Sequence, residues 1–181
     1  PAQNTFADNL TNPQNGDANE VIAEIGSAST KDVLPITRNE MRRLWPMGWL
    51  VGVLVDKFFS LLQERNDLAN RPGTSLLNCW FAPTEFYGMY LSTKGNAQDF
   101  VEKTDDTYWM QWFEFGTHEL LLIPLSKSNK HFTLLVVNFK NRRYEYFDSL
   151  INNPDYADPK FAEQMLAWAA DWVAAAWKRR F

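Results

Sequence analysis

From Phe132 to Phe139 the chain carries apolar residues at odd and even positions alike, several of them β-branched. A strand of that pattern has no face to give to water, so it belongs inside a sheet that helices cover on both sides. Lys140-Asn141-Arg142-Arg143 follows as a polar turn, and Tyr144 to Phe147 reads as the return strand of a hairpin. Just upstream, Leu120 to Ile123 is a short apolar run that Pro124 ends, consistent with a further buried strand. Downstream, Asn152-Asn153-Pro154 breaks the chain before a last helix. Asp158 is placed to cap that helix and Pro159 to occupy its first position. Phe161, Met165, Trp168, Trp172 and Ala176 recur at helical spacing and give it one apolar face. Lys178, Arg179 and Arg180 complement the negative end of its dipole.

The first half reads differently. Residues 1–32 are rich in Asn, Asp, Ala, Ser and Thr, and are expected to form a polar tail or arm whose one helical hint is Asn19 to Ile25. The folded domain is expected over 33–181. Thr37 and Glu40 match a capping box at the start of a short helix that Pro46 and Gly48 interrupt. A second helix is expected from about Trp49 to Glu64. Val51, Leu54, Val55, Phe58, Phe59 and Leu62 lie on its apolar side, with Asp56, Lys57, Ser60 and Gln63 opposite. Asn70-Arg71-Pro72-Gly73 is a turn. Leu76 to Leu91 is aromatic, and its pattern fits strand-plus-helix and loop equally. Helices, then a sheet, then a helix make the fold class α+β.

Composition narrows the chemistry. A net charge of −4 offers nothing general to nucleic acid or to an anionic membrane. No apolar run approaches the roughly 18 residues of a membrane span, and the first residues show no signal-peptide pattern, so an intracellular setting, nucleus or cytoplasm, is expected. One cysteine, Cys79, excludes an internal disulfide and any Cys-rich zinc site, and two histidines leave little for a histidine-based metal centre. No cofactor is implied.

His131 opens one hairpin strand and Asp148 follows the other. With the turn centred between Asn141 and Arg142, position 131 stands opposite about 152, and 148 opposite about 135. The two side chains share one end of the hairpin but are offset by several residues. An Asp beside a His fixes the imidazole tautomer and stabilises its charged form, as the base of a catalytic triad requires. Spacing alone favours the bland reading of a surface His and a turn Asp that never meet. Cys79, flanked by Asn78 and Trp80, reads as a small buried hydrophobe. His118 reads as a loop or strand-edge histidine, and Trp168, Trp172 and Trp177 as core.

Taken together, Leu122-Ile123-Pro124-Leu125, His131-Phe132-Thr133-Leu134 and Tyr146-Phe147-Asp148-Ser149-Leu150 resemble the catalytic half of the Ulp/SENP family. These are cysteine proteases that mature and remove SUMO and related ubiquitin-like modifiers. Trp49-Leu50 ahead of a helix ending in Leu61-Leu62 is similar to the family's Trp-Leu-Asn-Asp segment, and Cys79-Trp80-Phe81 with Phe86-Tyr87 and Leu91 to its aromatic segment. The resemblance covers roughly 33–181. It implies a papain-like cysteine protease fold, with His131 as general base and acid and Asp148 as its orienter. It implies that Trp49 covers the tunnel for the modifier's Gly-Gly tail; a bland cap at a helix start is the other reading of that residue. The implied partner is a ubiquitin-like modifier and its conjugates.

Three departures matter. Phe132 stands where the family usually has Trp, and Val51-Gly52 where it has Asn-Asp. Family members also continue past the last helix into a Gln that supplies the oxyanion hole and an Asp-Cys-Gly that carries the nucleophile. The chain ends at Phe181, so the C-terminal part of the fold is expected to be missing and the nucleophile to lie outside it, on a further segment or a second chain. The chain alone is then expected to be inactive. A protease-derived module that binds a modifier without cutting it is the main alternative. A papain-type enzyme using Cys79 is the second, since Cys, His and Asp occur in the papain order.

Overall fold

The hairpin is the centre of the molecule. The computed structural model describes residues 16–26, 33–44, 48–70, 77–105, 115–127, 131–153 and 158–180. Strands β3 (Cys79–Phe81), β4 (Leu120–Lys127), β5 (His131–Asn138) and β6 (Arg143–Phe147) form a four-stranded sheet in that order. β3 runs parallel to β4, and the other neighbours are antiparallel. A separate pair, β1 (Val21–Gly26) and β2 (Val33–Thr37), lies N-terminal to it. The helices are α1 (Arg38–Met41), α2 (Gly52–Ala69), α3 (Glu85–Ser92), α4 (Ala97–Asp105) and α5 (Pro159–Arg180), with a 3-10 turn at Arg42–Leu44.

One face of the sheet, bearing Leu121, Ile123, Leu125, Leu135 and Val137, packs against α3, α4 and α5. The aromatic residues expected for α5 fill this layer: Trp168 and Trp172 are buried and stack on each other at 6.0 Å, with Phe86 and Phe100 edge-on to both. Asp158 caps α5 through the Phe161 N–H at 3.1 Å, with Pro159 in the first turn, as the pattern predicts. Trp177 departs from the expectation of a core residue and is 52% exposed. One position past the buried Ala176 turns it about 100° away from the apolar stripe.

The capping box at Thr37 is present, with the Glu40 N–H on the Thr37 hydroxyl and the Thr37 N–H on the Glu40 carboxylate. The helical hint at Asn19 to Ile25 is replaced by β1, because Val21 to Gly26 finds a partner strand in Val33 to Thr37. The turn expected at Asn70 to Gly73 lies outside the described residues beyond Asn70, as do Pro46, Pro154 and Phe181. Leu76 to Leu91 resolves as strand plus helix over its described part.

Pro124 does not end β4, which runs on to Lys127. The Leu122 carbonyl accepts the Ala82 N–H at 2.8 Å, so the peptide groups of residues 122 and 124 point toward β3. β3 pairs only as far as Leu122, and a proline just beyond it forfeits no ladder bond.

Helix α2 starts three residues later than expected and runs five further. Gln63 and Asn66 act as a surrogate strand along β3. Asn66 donates to the Cys79 carbonyl at 3.0 Å and accepts the Cys79 N–H at 3.1 Å, while Gln63 accepts the Phe81 N–H at 3.0 Å. The helix is also rotated from the expected facing. Lys57 is 3% exposed and Phe58 is 58% exposed. Asp56 explains the rotation, because it takes the Thr84 N–H at 2.6 Å and the Thr84 hydroxyl at 2.7 Å and so ties the polar side of α2 to the start of α3.

The other face of the sheet carries Pro124, Phe132, Leu134 and Phe147. With Leu54, Val55, Phe58 and Leu61 of α2 they line an apolar groove of about 790 Å³, which reaches Asp148 and Ser149 at the sheet's end.

Candidate active site

β5 and β6 pair with Leu134 opposite Phe147 and Asn138 opposite Arg143. This register is two residues tighter than the expected one. The turn closes over four residues, with the Arg142 N–H on the Phe139 carbonyl and the Asn141 N–H on the Asn138 side chain. Arg142 takes the left-handed conformation, φ 53°, which brings the chain back early. Continuing the ladder puts Asp148 across from Thr133, two positions from His131 and on the same face. No bulge is needed.

The two side chains meet. His131 Nε2 lies 2.6 Å from Asp148 Oδ1, and both side chains are largely buried, 11% and 3% exposed. Asp148 is held by its own turn, because the Leu150 N–H donates to the same Oδ1 at 2.8 Å. Burial pushes the Asp148 carboxyl up, but the Leu150 N–H, the His131 hydrogen bond, and the charges of His131 and Lys127 outweigh it and hold it below the usual carboxylate value. An ionised carboxylate only accepts hydrogen bonds, so the imidazole carries its proton on Nε2 and keeps the Nδ1 lone pair for a substrate or nucleophile proton. That is the arrangement of an oriented general base.

Trp49 stands in the segment ahead of α2 and is 47% exposed. Its neighbour Leu50 lines the groove, whereas Trp49 is not among the lining residues. Cys79 sits at the far end of the sheet: it pairs with Leu120, while His131 pairs with Lys127, seven residues along β4. At about 3.3 Å per residue that is roughly 23 Å. The Cys79 thiol is pushed up by burial and then by the Glu119 carboxylate, opposite to what a nucleophile needs. A papain-type pairing of Cys79 with His131 is therefore excluded by geometry. His118 lies beside that same far end, with Nδ1 3.3 Å from the Thr117 hydroxyl. Among the described residues no three His, Cys, Asp or Glu side chains cluster as metal ligands, and no helix is long and apolar enough to cross a membrane.

Sequence reasoning missed four groups around the pair: Lys127 directly across from His131, the Leu150 N–H, and the hydroxyls of Thr133 and Tyr146. The signal for the hydroxyls was available, since Thr133 and Tyr146 sit two positions from His131 and Asp148 and must share their face.

Comparison with known proteins gives a consistent answer. A family model described as the Ulp1 protease family, C-terminal catalytic domain, matches residues 56–175. Sentrin-specific protease 2 of Homo sapiens is 25% identical over 127 residues, covering 70% of this chain and 19% of that protein. Ubiquitin-like-specific protease 1A of Arabidopsis thaliana is 28% identical over 145 residues, covering 77% of this chain and 26% of that one. The chain thus spans about a fifth to a quarter of these relatives. Among solved structures, the C-terminal Ulp1 protease domain in complex with Smt3, the yeast ortholog of SUMO, superposes with a TM-score of 0.63 at 16% identity, over 100% of this chain and 71% of that chain. A SUMO protease Ulp1 with its catalytic cysteine oxidised to a sulfinic acid gives 0.62 over 97% and 66%. The fold is that of the Ulp1 proteases.

Proposed function

Because this chain belongs to the Ulp1 protease family, C-terminal catalytic domain, we propose that it supplies the base and its orienter to a cysteine peptidase or isopeptidase acting on a SUMO-like or other ubiquitin-like modifier. The observation that carries the reading is the 2.6 Å contact between His131 Nε2 and Asp148 Oδ1. His131 takes the proton of a cysteine thiol at Nδ1, and the thiolate attacks the carbonyl after the modifier's terminal glycine. The imidazolium then protonates the departing amine as a thioester forms. A water deprotonated by His131 hydrolyses that thioester and restores the thiol. Asp148 keeps the ring oriented and stabilises its charge throughout.

The thiol comes from polypeptide outside these 181 residues. The position of Cys79 at the opposite end of the sheet supports this, and so does the apolar groove that opens beside Asp148 between α2 and the sheet. Exposed Leu50, Phe58, Leu61 and Phe147 in one groove form a surface that a further apolar segment can cover. Trp49, exposed ahead of α2, is assigned to the wall over the modifier's tail.

The test is a gel of SUMO-precursor cleavage. The 181-residue chain alone is expected to leave the precursor intact, and the domain extended by a segment bearing the family's Gln and Cys is expected to cut it. An extended domain that binds the precursor without cutting it would favour a non-catalytic binding module.

A further inference from the structure

The hydroxyls of Tyr146 and Thr133 are both buried and neither makes a hydrogen bond of standard geometry, although the Tyr146 hydroxyl lies close enough to Thr133 and to the Asp148 carboxylate for both to act on its titration. A buried hydroxyl left unpaired costs about 1–3 kcal/mol, and two on adjacent strands beside one carboxylate call for a reason. Tyr146 is two residues before Asp148, and Thr133 two residues after His131. The β5–β6 register sets all four on the α5 side of the sheet, at the end of the hairpin. The described hydrogen bonds to the Asp148 carboxylate, from His131 and from Leu150, both end on Oδ1. A carboxylate has about four acceptor sites, so Oδ2 keeps capacity for a donor.

We propose that Tyr146 and Thr133 form a hydroxyl pair whose O–H donates to the second oxygen of Asp148, making Tyr146 a positioning residue for the His131–Asp148 pair. The inference rests on the role given to that pair above. Packing fixes where the phenol ring can go, since it lies edge-on to Phe161 of α5 at 6.2 Å. Burial pushes the Tyr146 phenol up, Thr133 beside it pulls the other way, and the nearby Asp148 carboxylate adds to the rise, so the phenol remains a protonated donor across the physiological range. The other charged and titratable groups facing this corner are Lys127 on β4, Tyr87 on α3 and Asp158 at the α5 cap. None of the substitutions below alters them.

A donor on Oδ2 draws charge from the carboxylate and weakens its hold on the imidazolium. Removing it strengthens that hold, and the His131 ring must then titrate at higher pH. The measurement is proton NMR titration of the two histidine rings in the 181-residue chain, which needs no catalytic activity; loss of a signal in His131→Gln assigns the pair. Tyr146→Phe and Thr133→Val keep shape and are each expected to move the His131 curve to higher pH, leaving His118 unmoved. Tyr144→Phe removes a hydroxyl from the same strand and face, farther from Asp148, and is expected to leave both curves in place. A purely structural role lowers the unfolding midpoint without moving the curve. A His131 curve unmoved in Tyr146→Phe, or moved equally in Tyr144→Phe, overturns the inference while leaving the pair intact. A curve unmoved in Asp148→Asn overturns the pair itself and the inference with it.

Discussion

His131 Nε2 and Asp148 Oδ1 are 2.6 Å apart although 17 positions separate the two residues in the chain. A four-residue turn at the far end of the hairpin creates that contact, and the Leu150 N–H holds the carboxylate at the near end. The contact also bears on stability. The Asp148 carboxyl titrates below its ordinary 3.8 in the folded chain, so the unfolded chain binds the proton first as pH falls. The stabilisation is therefore complete above that value and is lost as pH drops through the lower, folded one. Asp148→Asn is expected to be about 1 kcal/mol less stable than the parent at pH 7. Urea midpoints should show the gap still open near pH 5 and closing below pH 3.8. A gap independent of pH contradicts the account.

Cys79 gives a chemical prediction. Its thiol is half-buried, points to the Leu77 carbonyl at 3.6 Å, and is pushed up by burial and by Glu119. Alkylation of the native chain near pH 7 is expected to be at least about tenfold slower than in urea. His131→Ala should not change that rate, since the two residues occupy opposite ends of the sheet. Fast native labelling that depends on His131 would return Cys79 to the chemistry.

The link between α2 and the sheet is also testable. Asn66 satisfies both backbone groups of Cys79, and Gln63 the N–H of Phe81, where a neighbouring strand would otherwise be needed. Asn66→Ala leaves the Cys79 N–H partly buried and unpaired, while its carbonyl keeps the Gln63 amide at 3.2 Å, at a cost of about 1–3 kcal/mol. Hydrogen exchange should show the Cys79 amide losing protection, while the β4–β5 amides keep theirs until the whole domain opens.

How much of this was legible follows from the kind of signal each residue sends. The hairpin, the α5 cap at Asp158 and the capping box at Thr37 are local, and local rules read them correctly. The turn register was misread by two residues because Arg142 adopts a left-handed conformation that its identity does not announce. Pro124 was read as a strand end because the short reach of β3 is a tertiary fact. The facing of α2 was set by Asp56 reaching Thr84, 28 positions away, which periodicity cannot anticipate. His131 and Asp148 were found as candidates from their order and spacing, but their contact depended on that misread register. Tyr146 and Thr133 were hidden in plain alternation, as ordinary strand residues whose hydroxyls matter only because of what lies beside them.

Cleavage kinetics of the extended domain test the central claim most directly. With the Gln-and-Cys segment supplied, kcat/KM is measured on a SUMO precursor for the parent, His131→Ala and Asp148→Asn. A base and its orienter act as a unit, so each variant is expected to lose at least about a thousandfold while modifier binding is retained. Full activity in His131→Ala would contradict the account at its centre.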